Sequence, residues 1–128
     1  MMNFIDNIDN KFLCELFPDG LNEKVLLGQL CLDLADQFSI NIHVSQKTSK
    51  EIAKWGIWGK DYNVIVIKLI GQFLKKVDIV NWQNVDFCTL NFSNTNEYIS
   101  LNFDGDTWKV NLEFKTLTFQ RCDVYLKN

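Results

Sequence analysis

Proline occurs once in this 128-residue chain and histidine once, and there is no excess of cations and no long apolar run. Each scarcity excludes something. A single proline among 47% hydrophobic residues rules out a disordered or proline-rich chain. One histidine, His43, cannot complete a His-rich metal site, and no pair of cysteines has zinc-ligand spacing, so no metal is expected. Thirteen Lys and Arg against 16 Asp and Glu leave a formal charge of −3. That argues against nucleic acid as a partner, because phosphate contacts need clustered cations. The longest strongly apolar stretch, Val64 to Ile67, is far too short to span a bilayer, so no membrane association is expected. Met1 to Asp6 lacks the basic start and apolar core of a secretory signal, which makes the cytoplasm the expected compartment. Gly-rich phosphate loops and a nucleophile elbow are missing too, and no cofactor is expected.

Four cysteines would permit three pairings in a secreted protein. Here Cys88 lies in phase with Leu90 and Phe92, and Cys122 with Val124 and Leu126. Cys14 falls in an expected helix and Cys31 in an expected strand. All four read as buried free thiols acting as small apolar residues.

What the chain does have is alternation. From Asp86 to Leu126 the apolar series Cys88, Leu90, Phe92, then Ile99, Leu101, Phe103, then Trp108, Val110, Leu112, Phe114 repeats with period two. Such a segment buries one face and offers the other to water or a partner. Phe38, Ile40, Ile42 and Val44 form another alternating strand, joined through a tight connection near Asp36-Gln37 to a strand within Lys24–Ala35 that places Leu30, Leu32 and Leu34 on one side. Tyr62 to Gln72 is apolar on both faces, as in a central or helix-covered strand. Gly71-Gln72 is the expected turn into a strand over Phe73–Trp82. Residues 6–17 carry Ile8, Phe12 and Leu16 at helical spacing, with Asp6 or Asn7 as cap and Pro18-Asp19-Gly20 as stop. Ser49 to Gly59 breaks the β pattern and allows one brief helix.

Turn chemistry sets the expected registers. A two-residue turn at Asp104-Gly105 places Leu101 opposite Trp108 and Ile99 opposite Val110. A turn over Ser93–Asn96 places Phe92 opposite Glu97 and Leu90 opposite Ile99. Lys115-Thr116 would join Phe114 to Leu117 as a hairpin, and a phase change between Phe119 and Cys122 marks a β-bulge near Gln120-Arg121. The expected fold is mainly β, α+β at the margin: one domain, 1–128, with one helix (about 6–17) and about eight antiparallel strands (about 24–126) in a meander. The meander forms a curved sheet, a sandwich or a partly open barrel.

Candidate chemistry is sparse. His43 falls out of phase with its apolar neighbours and reads as an exposed structural residue. Asp104-Gly105-Asp106 lacks the remaining ligands of a calcium loop, so it reads as a hairpin. Asp61, Asp78, Asp86 and Asp123 are spread over different segments, and an enzyme using paired aspartates stays as an outside alternative. Trp55 and Trp58 lie in the aperiodic segment Lys54–Lys60, and Trp82 ends a strand. Such aromatics are either lids over a core or anchors of an interface. Trp55, Trp58, Trp82, Asp104 and Asp106 are the candidate partner-binding residues, and no catalytic residue is assigned.

From Lys24 onward the order of features resembles the immunity protein 50 family of bacterial polymorphic-toxin systems. The resemblance runs from Lys54-Trp55 into Tyr62–Gly71, through Val77-Asp78-Ile79-Val80-Asn81-Trp82, an Asp86-led strand, Ile99–Gly105, and a close around Phe119 and Cys122. Ser49–Ala53 departs from it, since prolines are expected before the Lys-Trp. It implies a non-enzymatic cytoplasmic protein that binds and neutralises a cognate toxin, and it transfers no functional residue. The alternative is a small-ligand-binding β domain with a cavity behind the curved sheet. An exposed edge strand would also allow a homo-oligomer.

Overall fold

Phe38, Ile40, Ile42 and Val44 are buried while the residues between them are partly exposed, and this alternation is repeated across the molecule. The computed structural model describes residues 3–95 and 97–128. Among them are eight strands: β1 (Val25–Leu32), β2 (Phe38–Val44), β3 (Val64–Gln72), β4 (Lys76–Val80), β5 (Thr89–Asn94), β6 (Ile99–Asp104), β7 (Lys109–Phe114) and β8 (Thr116–Tyr125). They form two antiparallel four-stranded sheets, β1-β2-β3-β8 and β4-β7-β6-β5. The expected mainly-β fold is therefore present, but it is not a simple meander, since β3 neighbours β8 and β4 neighbours β7, and the sheets do not close into a barrel. An isolated bridge pairs Val25 of β1 with Cys88, the residue just before β5. No helix among the described residues is long and apolar enough to cross a membrane.

The two sheets meet at a corner. β3 pairs with β8 as far as Gln72 and Thr116, and beyond it β4 pairs with β7 from Lys76 and Glu113. The Lys75 N–H donates to the Glu113 carbonyl at 2.7 Å, and the Lys115 N–H to the Gln72 carbonyl at 3.2 Å. One antiparallel ribbon thus bends from the first sheet into the second, as strands do when they switch sheets. This corrects two expected turns. Gly71 and Gln72 belong to β3, with Phe73 in the left-handed region (φ 60°) just after it, and Lys115 leads β7 into the other sheet. Alternation cannot distinguish a hairpin from a corner here, because Phe114 and Leu117 are buried in either arrangement.

The β5–β6–β7 registers are also corrected, each by four residues. Leu101 lies opposite Leu112 and Ile99 opposite Phe114, so the loop spans Gly105–Trp108. The Gly105 N–H donates to the Trp108 carbonyl at 3.0 Å, and the indole lies where a Cβ on residue 105 would be, which makes glycine necessary there. Likewise Phe92 pairs with Leu101 and Leu90 with Phe103, and β5 runs on to Asn94. Asn96, in the expected Ser93–Asn96 turn, lies outside the described residues. An even displacement keeps every side chain on its face, so hydrophobic parity alone did not separate these registers. The bulge at Gln120 is as expected: Lys68 faces Arg121 and Leu69 faces Phe119.

The expected single helix is two: α1 (Phe4–Ile8) and α2 (Lys11–Leu16). Asp9, at φ 55°, ends the first. The Asn10 carboxamide then caps the second by accepting the Leu13 N–H at 3.1 Å. Local Asn and Asp bonding outcompetes helix continuation, while Ile5, Ile8, Leu13 and Leu16 still all face the core. The brief helix expected in Ser49–Gly59 is a 3₁₀ turn, Ala53–Trp55. β1 ends at Leu32, and Leu34 lies beyond it, 93% exposed. Phe38, Phe103, Phe114, Ile65, Ile67 and Leu69 fill the space between the sheets. All four cysteines are free as expected, but only Cys88 is fully buried; Cys14, Cys31 and Cys122 are partly exposed.

Candidate protein-interaction face

With one face of the second sheet committed to the core, the other becomes a regular array. Cross-strand pairing aligns Asp78, Asn111, Asn102 and Asn91 in a row from β4 to β5. On one side of it lies the row Lys76, Glu113, Ser100, Ser93, and on the other Val80, Lys109, Asp104, Thr89. Eleven of these 12 positions are polar, Val80 being the exception. A groove of about 540 Å³ runs over most of them, Lys76, Asp78, Asn102 and Asn111 included.

Side chains in the array hold one another. The Asn111 amide donates to the Asn102 carbonyl and, at 3.1 Å, to the Ser100 hydroxyl. The Asn91 amide donates to the Asp104 carboxylate at 2.7 Å. Lys76 Nζ lies 3.2 Å from the Asp78 carboxylate and 3.7 Å from that of Glu113. The hydrogen bond and charge of Asp78, then the charge of Glu113, raise the pKa of the Lys76 ammonium and keep it cationic. The centre of the face is neutral and rich in donors and acceptors, with charges at its margins. A surface of this chemistry is able to make complementary hydrogen bonds to another polar surface, with charge steering the approach.

The groups nearest to reactive chemistry lie elsewhere and are quiet. Burial, followed by the charge of Asp104, pushes the Cys88 thiol up to about 11. Burial and Asp123 push Cys122 up to about 12, so neither supplies thiolate at neutral pH. His43, expected to be exposed, is half-covered on the outer face of the first sheet, its Nδ1 2.8 Å from the Tyr125 hydroxyl. Desolvation holds its pKa below the usual 6.5. No cluster of three or more His, Cys, Asp or Glu able to hold a metal occurs among the described residues.

Trp55 is 9% exposed and packs edge-to-face against Phe12 and Tyr62. Trp58 is partly buried with its ring centroid 5.4 Å from that of Tyr62. Both cover the core. The large apolar side chain this loop presents outward is Ile57, 60% exposed, its N–H bonded to the Asp61 carboxylate at 2.7 Å. Trp82 is 39% exposed in a 3₁₀ turn after β4. It neighbours the Asp104–Asp106 turn, because the Asn81 amide donates to the Thr107 carbonyl at 2.8 Å. Trp82, Asp104 and Asp106 therefore share one end of the second sheet, while Trp55 and Trp58 belong to a separate aromatic cluster. Of these candidates only Asp104 is in the array. Lys76, Asn91 and Glu113 were not singled out from sequence, and Asp78 was weighed only as one of four scattered carboxylates. Their signal was the polar half of the alternation, which becomes legible once the register is known.

No protein-family model, curated protein or solved structure matches this chain. What the face can bind follows from its own chemistry.

Proposed function

We propose that this chain is a non-enzymatic immunity protein that binds and neutralises a cognate bacterial polymorphic toxin, with the polar face of the second sheet as its docking surface. The observation that carries this reading is the array of three rows across four strands, whose amides and carboxylates are fixed by one another before a partner arrives. Preorganised side chains lose less entropy on association than mobile ones. A face of this kind can serve the centre of a standard interface of roughly 800 Å² per partner. The toxin as partner, and the bacterial cytoplasm as compartment, come from the resemblance of Lys54-Trp55, Tyr62–Gly71 and Val77–Trp82 to the immunity protein 50 family. The formal charge of −3 suits a cationic toxin domain.

The test is co-expression with each toxin domain encoded immediately upstream of the gene. Restored growth with one of them is expected. Continued killing by every one would overturn the proposal.

A further inference from the structure

Four strands border open edges, β1 and β8 in the first sheet and β4 and β5 in the second. Three carry recognised deterrents to the addition of another strand. β1 is interrupted by a bulge at Gly28, and β8 has its bulge at Gln120 beside Arg121 and Asp123. β4 has only five residues and carries Lys76 and Asp78. β5, Thr89–Asn94, has no bulge, no charge and no proline.

The backbone of β5 is also correctly turned. Val25 and Cys88 exchange both hydrogen bonds, at 2.9 and 2.8 Å, and on the opposite side the Thr95 N–H donates to the Tyr98 carbonyl at 2.9 Å. Successive residues of a strand face alternate edges. Thr89, Asn91 and Ser93 therefore bond to β6, and Leu90, Phe92 and Asn94 direct N–H and C=O to the open side. No backbone partner for these outward groups occurs among the described residues. Beside them runs a groove of about 460 Å³, walled by Thr89, Leu90 and Phe92 on one side and residues 19–24 on the other. Phe4 lies beneath, its ring 6.2 Å from that of Phe92. The chain itself supplies the first rung at Val25, and residues 19–24 then run apart from β5 as the far wall.

We infer that this edge takes an extended segment of the partner protein as an added strand. Alternate apolar residues of that segment seat over Phe4, Leu90 and Phe92, and a basic residue meets Asp19 and Glu23, which outnumber the one cation of the wall, Lys24, beside the Val25 rung. The inference rests on the chain being a partner-binding protein, not on the partner being a toxin. The wall at residues 19–24 favours one strand over a second copy, since it would stand between two β5 edges. An added strand lies about 4.8 Å from β5 and extends the rows ending at Thr89, Asn91 and Ser93, so strand and polar face form one surface.

The probe is a pool of synthetic peptides of about nine residues, a strand's length, with alternating apolar residues and threonine and with lysine at both ends. Binding should slow amide exchange at Leu90, Phe92 and Asn94 by about tenfold or more, leaving other strands unchanged. N-methylation of every second peptide amide, in the phase that faces β5, should abolish binding. In the protein, Asn94→Pro removes one outward donor at an exposed strand end and should weaken binding about tenfold without altering the circular dichroism. Absence of binding by the whole pool at millimolar concentration would overturn the proposal, as would binding indifferent to N-methylation in either phase. A self-associated dimer abolished by Asn94→Pro would overturn the choice of occupant. Failure of toxin co-expression with peptide binding intact would sink the toxin assignment alone.

Discussion

Replacing Gly71 with alanine tests the corner on which both sheets depend. A Cβ there would lie 2.9 Å from Phe38 Cδ1 and closer still to Cε1 and Cζ. Carbon atoms rest at about 3.5–4.0 Å, so the ring would have to move by more than an ångström. It has nowhere to go. Phe38 is fully buried, with the Phe114 ring 5.1 Å away, centroid to centroid. The residue 71 backbone is itself pinned between Phe38 and Leu117 in the sheet. Alanine would gain about 0.5–1 kcal/mol by restricting the unfolded chain. Overpacking costs about 1–3 kcal/mol, and overlap with two ring atoms places this site at the upper end. The net expectation is a loss of about 2 kcal/mol and a Tm lower by roughly 5–10 °C. Urea unfolding followed by tryptophan fluorescence measures it. In a Phe38→Leu background the same change should cost at least about 1 kcal/mol less, because the overlapping ring atoms are gone. A Gly71→Ala protein as stable as the parent would refute the close approach of Phe38 to the corner.

Four further outcomes follow from the packing and the titrating groups. Trp55→Ala should destabilise the fold by about 3–5 kcal/mol in thermal unfolding, as for a large buried side chain; a change confined to partner affinity would contradict its place as a lid. Cys88 and Cys122 should alkylate at pH 8 at least about a hundredfold more slowly in the folded protein than in urea. Because burial raises both thiol pKa values, their stabilising contribution is intact below about pH 9 and is lost as pH rises through about 11 and about 12; unfolding free energies measured from pH 8 to 11 should fall. His43 shows the opposite dependence. Its pKa is lowered on folding, so the unfolded chain binds the proton more readily and stability declines as pH drops through 6.5. Removal of that decline by His43→Gln is the check.

The strands were legible because burial on one face writes period two into the sequence, as in Phe38–Val44 and Ile99–Phe103. Their partners were less so. Parity separates odd from even, so it could not show that Leu101 meets Leu112 and not Trp108, nor that the ribbon through Gln72 and Lys115 bends into a second sheet. The helix break at Asp9-Asn10 was hidden because apolar spacing continues across it. The candidate site suffered most from this. Aromatic residues in an aperiodic loop attract notice, yet Trp55 and Trp58 face inward, while unremarkable asparagines at positions 91, 102 and 111 become one row only when three strands are aligned.

The central claim, that this row and its neighbours are the docking surface, is tested most directly by one affinity comparison. A toxin domain neutralised in the co-expression test is titrated with the native chain and with Asn102→Arg, which places a bulky charge at the middle of the face. The account predicts tight binding by the native chain and a loss of about a hundredfold or more in the variant, with unchanged thermal stability. Equal affinity of the two proteins for that toxin domain would contradict it.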